Sequence, residues 1–141
     1  MNVKVIITTH AQAGSGLILA FAMIAGNSSV FKTCLLNDSG IADFRTRLNA
    51  LLASFQGEDI LLLSDVKGGT PFNEAYKYGL EHPESTAVIS GVNLPMLLEL
   101  GTTPLSKQPL AAVAQLALNP GSDGIAQANL AATGDDDDLD F

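Results

Sequence analysis

Two side chains of this sequence could do covalent chemistry together. His10 ends the stretch VIITTH and Asp65 ends DILLLSD, each where a run of strand-formers gives way to turn residues. A histidine beside a carboxylate can act as a nucleophile. The carboxylate accepts the Nδ1 proton, fixes the tautomer and stabilises charge developing on the ring, which leaves Nε2 free to attack. Asp65 is followed by VKGGTPFN, in which Gly68 and Gly69 let backbone N–H groups approach a bound group closely. A helix opening there aims its positive end at the same place, with Thr70 as the expected N-cap and Pro71 at the first helical position. Histidine, carboxylate and anion cradle together point to transfer of a phosphoryl group.

Other chemistries fit these residues less well. No GxSxG elbow occurs, and Ser64 precedes Asp65 within its strand, so its side chain faces away from the carboxylate. The other histidine, His82, falls at the far end of a helix, leaving His10 and Asp65 without further metal ligands, so no metal site is expected. The glycines match neither a Walker loop nor GxGxxG, which leaves nucleotide binding unsupported. A lone histidine at a strand end is more often a loop residue, and an aspartate before two glycines is commonly a turn residue. The weight therefore rests on both falling at neighbouring strand ends.

Four alternating strand and helix units must bring them there. Strands are expected at 3–8, 30–36, 59–65 and 85–90, and helices at 14–26, 41–55, 70–82 and, after a turn over 91–95, through Met96, Leu97, Leu98 and Leu100. In the second helix Ile41, Phe44, Leu48, Leu51, Leu52 and Phe55 share one face. The pattern predicts an α/β fold: a doubly wound, mostly parallel four-stranded sheet of order 2-1-3-4 flanked by helices. That order places His10 and Asp65 side by side just past the carboxyl ends of strands 1 and 3, at the switch point where open α/β sheets bind ligands. A further helix is expected beyond Pro109, broken by Asn119, Pro120 and Gly121 before the apolar piece GIAQANLAA. Part of 101–108 could instead form an extended arm.

Composition sets outer bounds. The chain has 141 residues, 47% hydrophobic and 16% charged, enough for one packed core. Its net charge of −8 leaves no clustered Lys and Arg, so no nucleic-acid partner is expected. Asp135–Asp138 and Asp140 supply five of the fifteen acids, and such a block repels itself and stays solvated. Residues 1–128 are read as the domain and 129–141 as an acidic, disordered tail. The single cysteine, Cys34, lies in the apolar run VFKTCLL and reads as a core residue. With neither a membrane-spanning run nor a signal-peptide pattern, the expected location is cytoplasmic.

The motifs TTHAQAGSGL, ILLLSDVKGGTPFNEA and ISGVNLPMLLE, in this order and spacing, resemble the IIA component of the mannose family of the bacterial phosphoenolpyruvate-dependent sugar phosphotransferase system. The resemblance covers about residues 2–128. It implies that His10 takes a phosphoryl group at Nε2 from the phosphocarrier HPr and passes it to a IIB component, while sugar enters through the IIC and IID permease. It further implies Asp65 as the histidine's hydrogen-bond partner, Thr70 near the phosphoryl group, no cofactor, association with the membrane permease complex, and a homodimer that exchanges or packs C-terminal segments. Two positions depart from the family pattern. Ala11 stands where glycine is usual and restricts the loop, and Lys67 stands where an aromatic residue is frequent and adds positive charge beside the anion site. A phosphorylation-dependent regulatory protein, uncoupled from transport, is the rival expectation.

Overall fold

The computed structural model describes residues 2–131, so the aspartate run expected to be solvated lies outside the described residues. Nine elements follow in order: β1 (Lys4–His10), α1 (Ala13–Ala25), β2 (Phe31–Leu36), α2 (Gly40–Ser54), β3 (Ile60–Ser64), α3 (Thr70–Glu81), β4 (Thr86–Ser90), α4 (Leu94–Thr102) and α5 (Leu110–Asp123). The four strands pair in parallel in the order β2-β1-β3-β4, as expected. Every residue of β3 is buried, because helices cover both faces of the sheet.

Side-chain alternation along the strands makes two cores. Val5 and Ile7 of β1 face α1, α4 and α5, joining Phe21, Leu97 and Val113. Ile6 points the other way, joining Cys34, Phe44, Leu48 and Ala75. Cys34 is 4% exposed and burial pushes its thiol up, as befits an unreactive core residue. The apolar face of α2 is as expected except at Ile41, which is exposed at the helix start.

Several boundaries differ from the sequence reading, each for a local reason. β1 runs two residues beyond the expected end, so His10 is its last residue. His10 pairs with Leu36, and the N–H of Ala11 still reaches the Leu36 carbonyl at 2.7 Å. At the start of α3 the cap position is Gly69, not Thr70. Gly69 is extended (φ −75°, ψ 165°), and Thr70 and Pro71 are the first two helical residues.

Pro120 does not break α5 but lies inside it. Proline costs only the hydrogen bond its own N–H would make and a clash one turn back, and contacts with α4 hold the final turn. Gly121 packs against Met96 so closely that a Cβ there would lie 2.6 Å from its Cε, and Asn93 Nδ2 donates to the Gly121 carbonyl at 2.9 Å. Nor do residues 101–108 form an arm. Gly101 and Thr102 finish α4, and Leu105 is tucked into the chain's own core. Among the described residues no helix is long and apolar enough to cross a membrane.

Candidate functional site

The site forms where β1 and β3, paired directly through Thr8 and Ser64, reach their carboxyl ends. One oxygen of Asp65, Oδ2, accepts two hydrogen bonds from the same residue: from the His10 backbone N–H at 2.9 Å and from the ring Nδ1 at 2.9 Å. The other oxygen, Oδ1, accepts from the Val66 N–H at 3.0 Å. The carboxylate is thus held on three sides, and it holds the ring in turn. Ser64 points into the sheet, where its Oγ donates to the Ile89 carbonyl at 3.4 Å.

Exposure differs between the partners, at 48% of the His10 side chain and 18% of that of Asp65. Partial burial pushes the Asp65 carboxyl up. The His10 N–H, the hydrogen bond from the ring and the ring's charge outweigh that burial, so the carboxyl titrates below its ordinary value. Asp65 therefore stays ionised at neutral pH and keeps its proton acceptor turned to Nδ1. With Nδ1 engaged, Nε2 is the free nitrogen of a half-exposed ring.

The loop between β3 and α3 comes up against that ring. The Gly69 N–H donates to the Val66 carbonyl at 3.2 Å, closing a four-residue turn with Gly68 at its third position in the left-handed region (φ +88°). A residue with a side chain would be strained there. Gly69 lies against the imidazole, where a Cβ would come within 2.7 Å of His10 Cε1 and 3.4 Å of Nε2. Gly69 is therefore a close-approach residue as well as a cap.

The first N–H groups of α3 have no acceptor within the helix, and the helix dipole is positive at this end. The structure brings His10, Asp65 and Gly69 into direct contact. Gly68 shapes the turn, Thr70 opens the helix half-buried, and Lys67 is exposed on the rim. Among the described residues no group of three or more His, Cys, Asp or Glu side chains could hold a metal ion.

Two supports escaped the sequence reading. Asn73 Nδ2 donates to the Gly68 carbonyl at 3.0 Å while the Asn73 N–H donates to the Gly69 carbonyl at 2.8 Å, so one residue fixes both glycines. Its signal was an asparagine in the first helical turn, where side-chain bonds to the preceding backbone are common. Thr9, fully buried, accepts the Gly14 N–H on Oγ1 at 2.8 Å and so caps α1 from within β1. Threonine inside a strand run reads only as a strand-former, and its cap role became visible once α1 was in place.

Comparison with known proteins places the chain in a family and matches its fold. The family model EIIA-man, described as the PTS system fructose IIA component, matches residues 4–117. The PTS system sorbose-specific EIIA component of Klebsiella pneumoniae is 29% identical over 98 residues, which are 70% of this chain and 72% of that protein. The PTS system mannose-specific EIIAB component of Escherichia coli strain K12 is 28% identical over 127 residues. Those residues are 89% of this chain but 39% of that longer protein. Among solved structures, the phosphotransferase system component EIIA from Streptococcus agalactiae superposes with a TM-score of 0.79 at 26% identity, covering 89% of this chain and 96% of the other.

Proposed function

Because the chain belongs to the EIIA-man family of phosphotransferase-system IIA components, we propose that it carries a phosphoryl group on His10 between the phosphocarrier HPr and a IIB component. The observation behind this is the pairing of His10 Nδ1 with Asp65 Oδ2 at 2.9 Å, which leaves Nε2 free beside the opening of α3. In the accepting step the Nε2 lone pair attacks the phosphorus of phospho-HPr. The donor's P–N bond breaks, and its electron pair returns to the donor ring. The His10 ring becomes cationic, and Asp65, already ionised, stabilises that charge through Nδ1–H. In the donating step a IIB nucleophile takes the phosphoryl group and neutral His10 is restored.

The remaining residues serve the phosphoryl oxygens. N–H groups at the start of α3 and the helix dipole bind them, with Gly68 and Gly69 shaping the approach and Thr70 offering its hydroxyl. Donor and cradle are both protein, so the step needs neither metal nor diffusible cofactor. The IIC and IID permease then uses the group carried by IIB to phosphorylate the entering sugar, and the chain works in the cytoplasm beside that complex.

The β4 edge of the sheet, unpaired among the described residues, suits a homodimer. β4 is an edge strand, and beside it Phe72 and Tyr76 stack at 5.8 Å in line with exposed Leu80. Ile125 and Leu130, 81% and 94% exposed after α5, are apolar anchors that a second copy would cover.

Incubation of the chain with phosphoenolpyruvate, enzyme I and HPr tests the reading. One acid-labile phosphoryl adduct is expected on the wild type and none on His10→Ala. An adduct on the mutant would remove His10 from the assignment.

A further inference from the structure

The cations of this chain are spread unevenly about the sheet. Of its seven lysines and arginines, Arg45 is locked onto Glu74 at 2.6 Å and Arg47 onto Asp43 at 2.8 Å. Lys4 and Lys32 sit at the amino-terminal starts of β1 and β2, and Lys107 follows residues 103–106, which share a cavity with the start of β1. Lys77 lies about 10 Å along α3 from Thr70. Lys67 is left as the one unpaired cation at the carboxyl end of the sheet among the described residues, and it is exposed.

Lys67 shares its turn with the glycine that touches the His10 ring. It holds the second position of the turn closed by the Gly69 N–H and the Val66 carbonyl. Two residues span at most about 7 Å, so its Cα lies within that distance of the Gly69 Cα. A Cβ on Gly69 would be 3.4 Å from His10 Nε2, and the flexible four-carbon stem of lysine covers such a span. The turn is held on both sides of Lys67, by the Val66 N–H donating to Asp65 Oδ1 at 3.0 Å and by Asn73 Nδ2 donating to the Gly68 carbonyl at 3.0 Å. The backbone is thus fixed while the amine is free to turn.

A phosphoryl group brings about −1.5 to −2 charges at neutral pH. On His10 it would join a chain already at −8 and stand across the ring from Asp65, whose carboxyl is held ionised. The proton on Nδ1 answers Asp65, not the phosphoryl oxygens. On the other side of the ring, backbone N–H groups and a helix dipole offer partial charges only. A full positive charge is missing from Gly68, Gly69 and Thr70, and Lys67 is the residue placed to supply it.

We infer that Lys67 pairs with the phosphoryl group carried on His10 Nε2, its amine folding back over the turn to meet a phosphoryl oxygen. The inference rests on the reading of His10 as the phosphoryl carrier. Because the pair forms only in the phosphorylated state, it stabilises that state and shifts the equilibrium with HPr toward this chain. An ion pair on an exposed rim contributes little, about fivefold in the equilibrium constant, and salt screens it.

The test is an equilibrium, because the distribution of phosphoryl groups between free proteins does not depend on how they dock. Phosphorylated HPr, freed of enzyme I and phosphoenolpyruvate, is mixed with the full chain, and intact mass gives the share of phosphoryl on each protein once it stops changing. Lys67→Met is expected to lower the equilibrium constant about fivefold, Lys67→Glu to lower it further, and Lys67→Arg to keep it within about twofold of wild type, with the differences shrinking at about 1 M salt. Equal constants in wild type and Lys67→Met, or no rescue by Lys67→Arg, would overturn the inference. So would slower approach to an unchanged equilibrium, which would put the amine against an acidic group of the partner protein. A wild-type chain that takes no phosphoryl group would instead overturn the carrier reading, and this inference with it.

Discussion

Ala11, directly after His10, sits in the left-handed region at φ 47°, which is the constraint glycine would relieve. Ala11→Gly is expected to stabilise the domain by about 0.5–1 kcal/mol, the αL penalty less the entropy glycine adds to the unfolded chain. Urea denaturation checks this, and a loss of stability would contradict the assigned strain. Asp65 gives a pH prediction. Its folded pKa lies below the ordinary 3.8, so its contribution is fully present above that value and is lost as pH falls through the lower folded pKa. Asp65→Asn should remove that part of the acid-unfolding curve and slow phosphoryl transfer more than it lowers stability at pH 7. A variant with the wild-type acid profile and transfer rate would count against the pairing. His10 and Asp65 were legible from sequence because each falls where an apolar run stops. Asn73 was not, since its importance comes from a carbonyl it reaches only once the turn has closed.

At the scale of elements, the junction of β3 with α3 governs the site. Gly69→Ala would drive a Cβ to 2.7 Å from His10 Cε1, so the ring must tilt away from Asp65. Transfer should fall by at least about tenfold, while the midpoint of thermal unfolding moves little because the loop is half-exposed. Wild-type transfer in this variant would show that the close approach is unimportant. On the other face of the sheet α1 and α4 meet at Gly101, where a Cβ would lie 2.2 Å from Phe21 Cζ at the centre of the core. Gly101→Ala is expected to cost about 1–3 kcal/mol by overpacking. A neutral result in denaturant titration would mean that the ring has room to move. The order of elements followed from hydrophobic period and turn residues, but the length of α5 did not. Pro120 is a helix breaker by local rule, and here Asn93 and Met96, some twenty-five residues earlier, decide otherwise.

At the scale of the whole molecule, apolar surface remains at the sheet edge and beyond α5. Replacing Ile125 and Leu130 together by aspartate should shift a dimer toward monomer in light scattering, without loss of the domain's own unfolding transition, because both side chains lie outside the core. A wild-type chain that is monomeric at high micromolar concentration would contradict the homodimer. The sheet order was readable because right-handed crossovers and four regular units admit few topologies. The surface left for a partner was not, because exposed leucines follow the same helical period as buried ones until packing separates them. All three scales meet in one atom, His10 Nε2. The measurement that tests the account most directly is ¹⁵N–³¹P correlation NMR of the chain phosphorylated through HPr. The account predicts phosphorus bonded to Nε2 of His10 with Nδ1 still protonated toward Asp65, and phosphorus on Nδ1, or on any other residue, would contradict it.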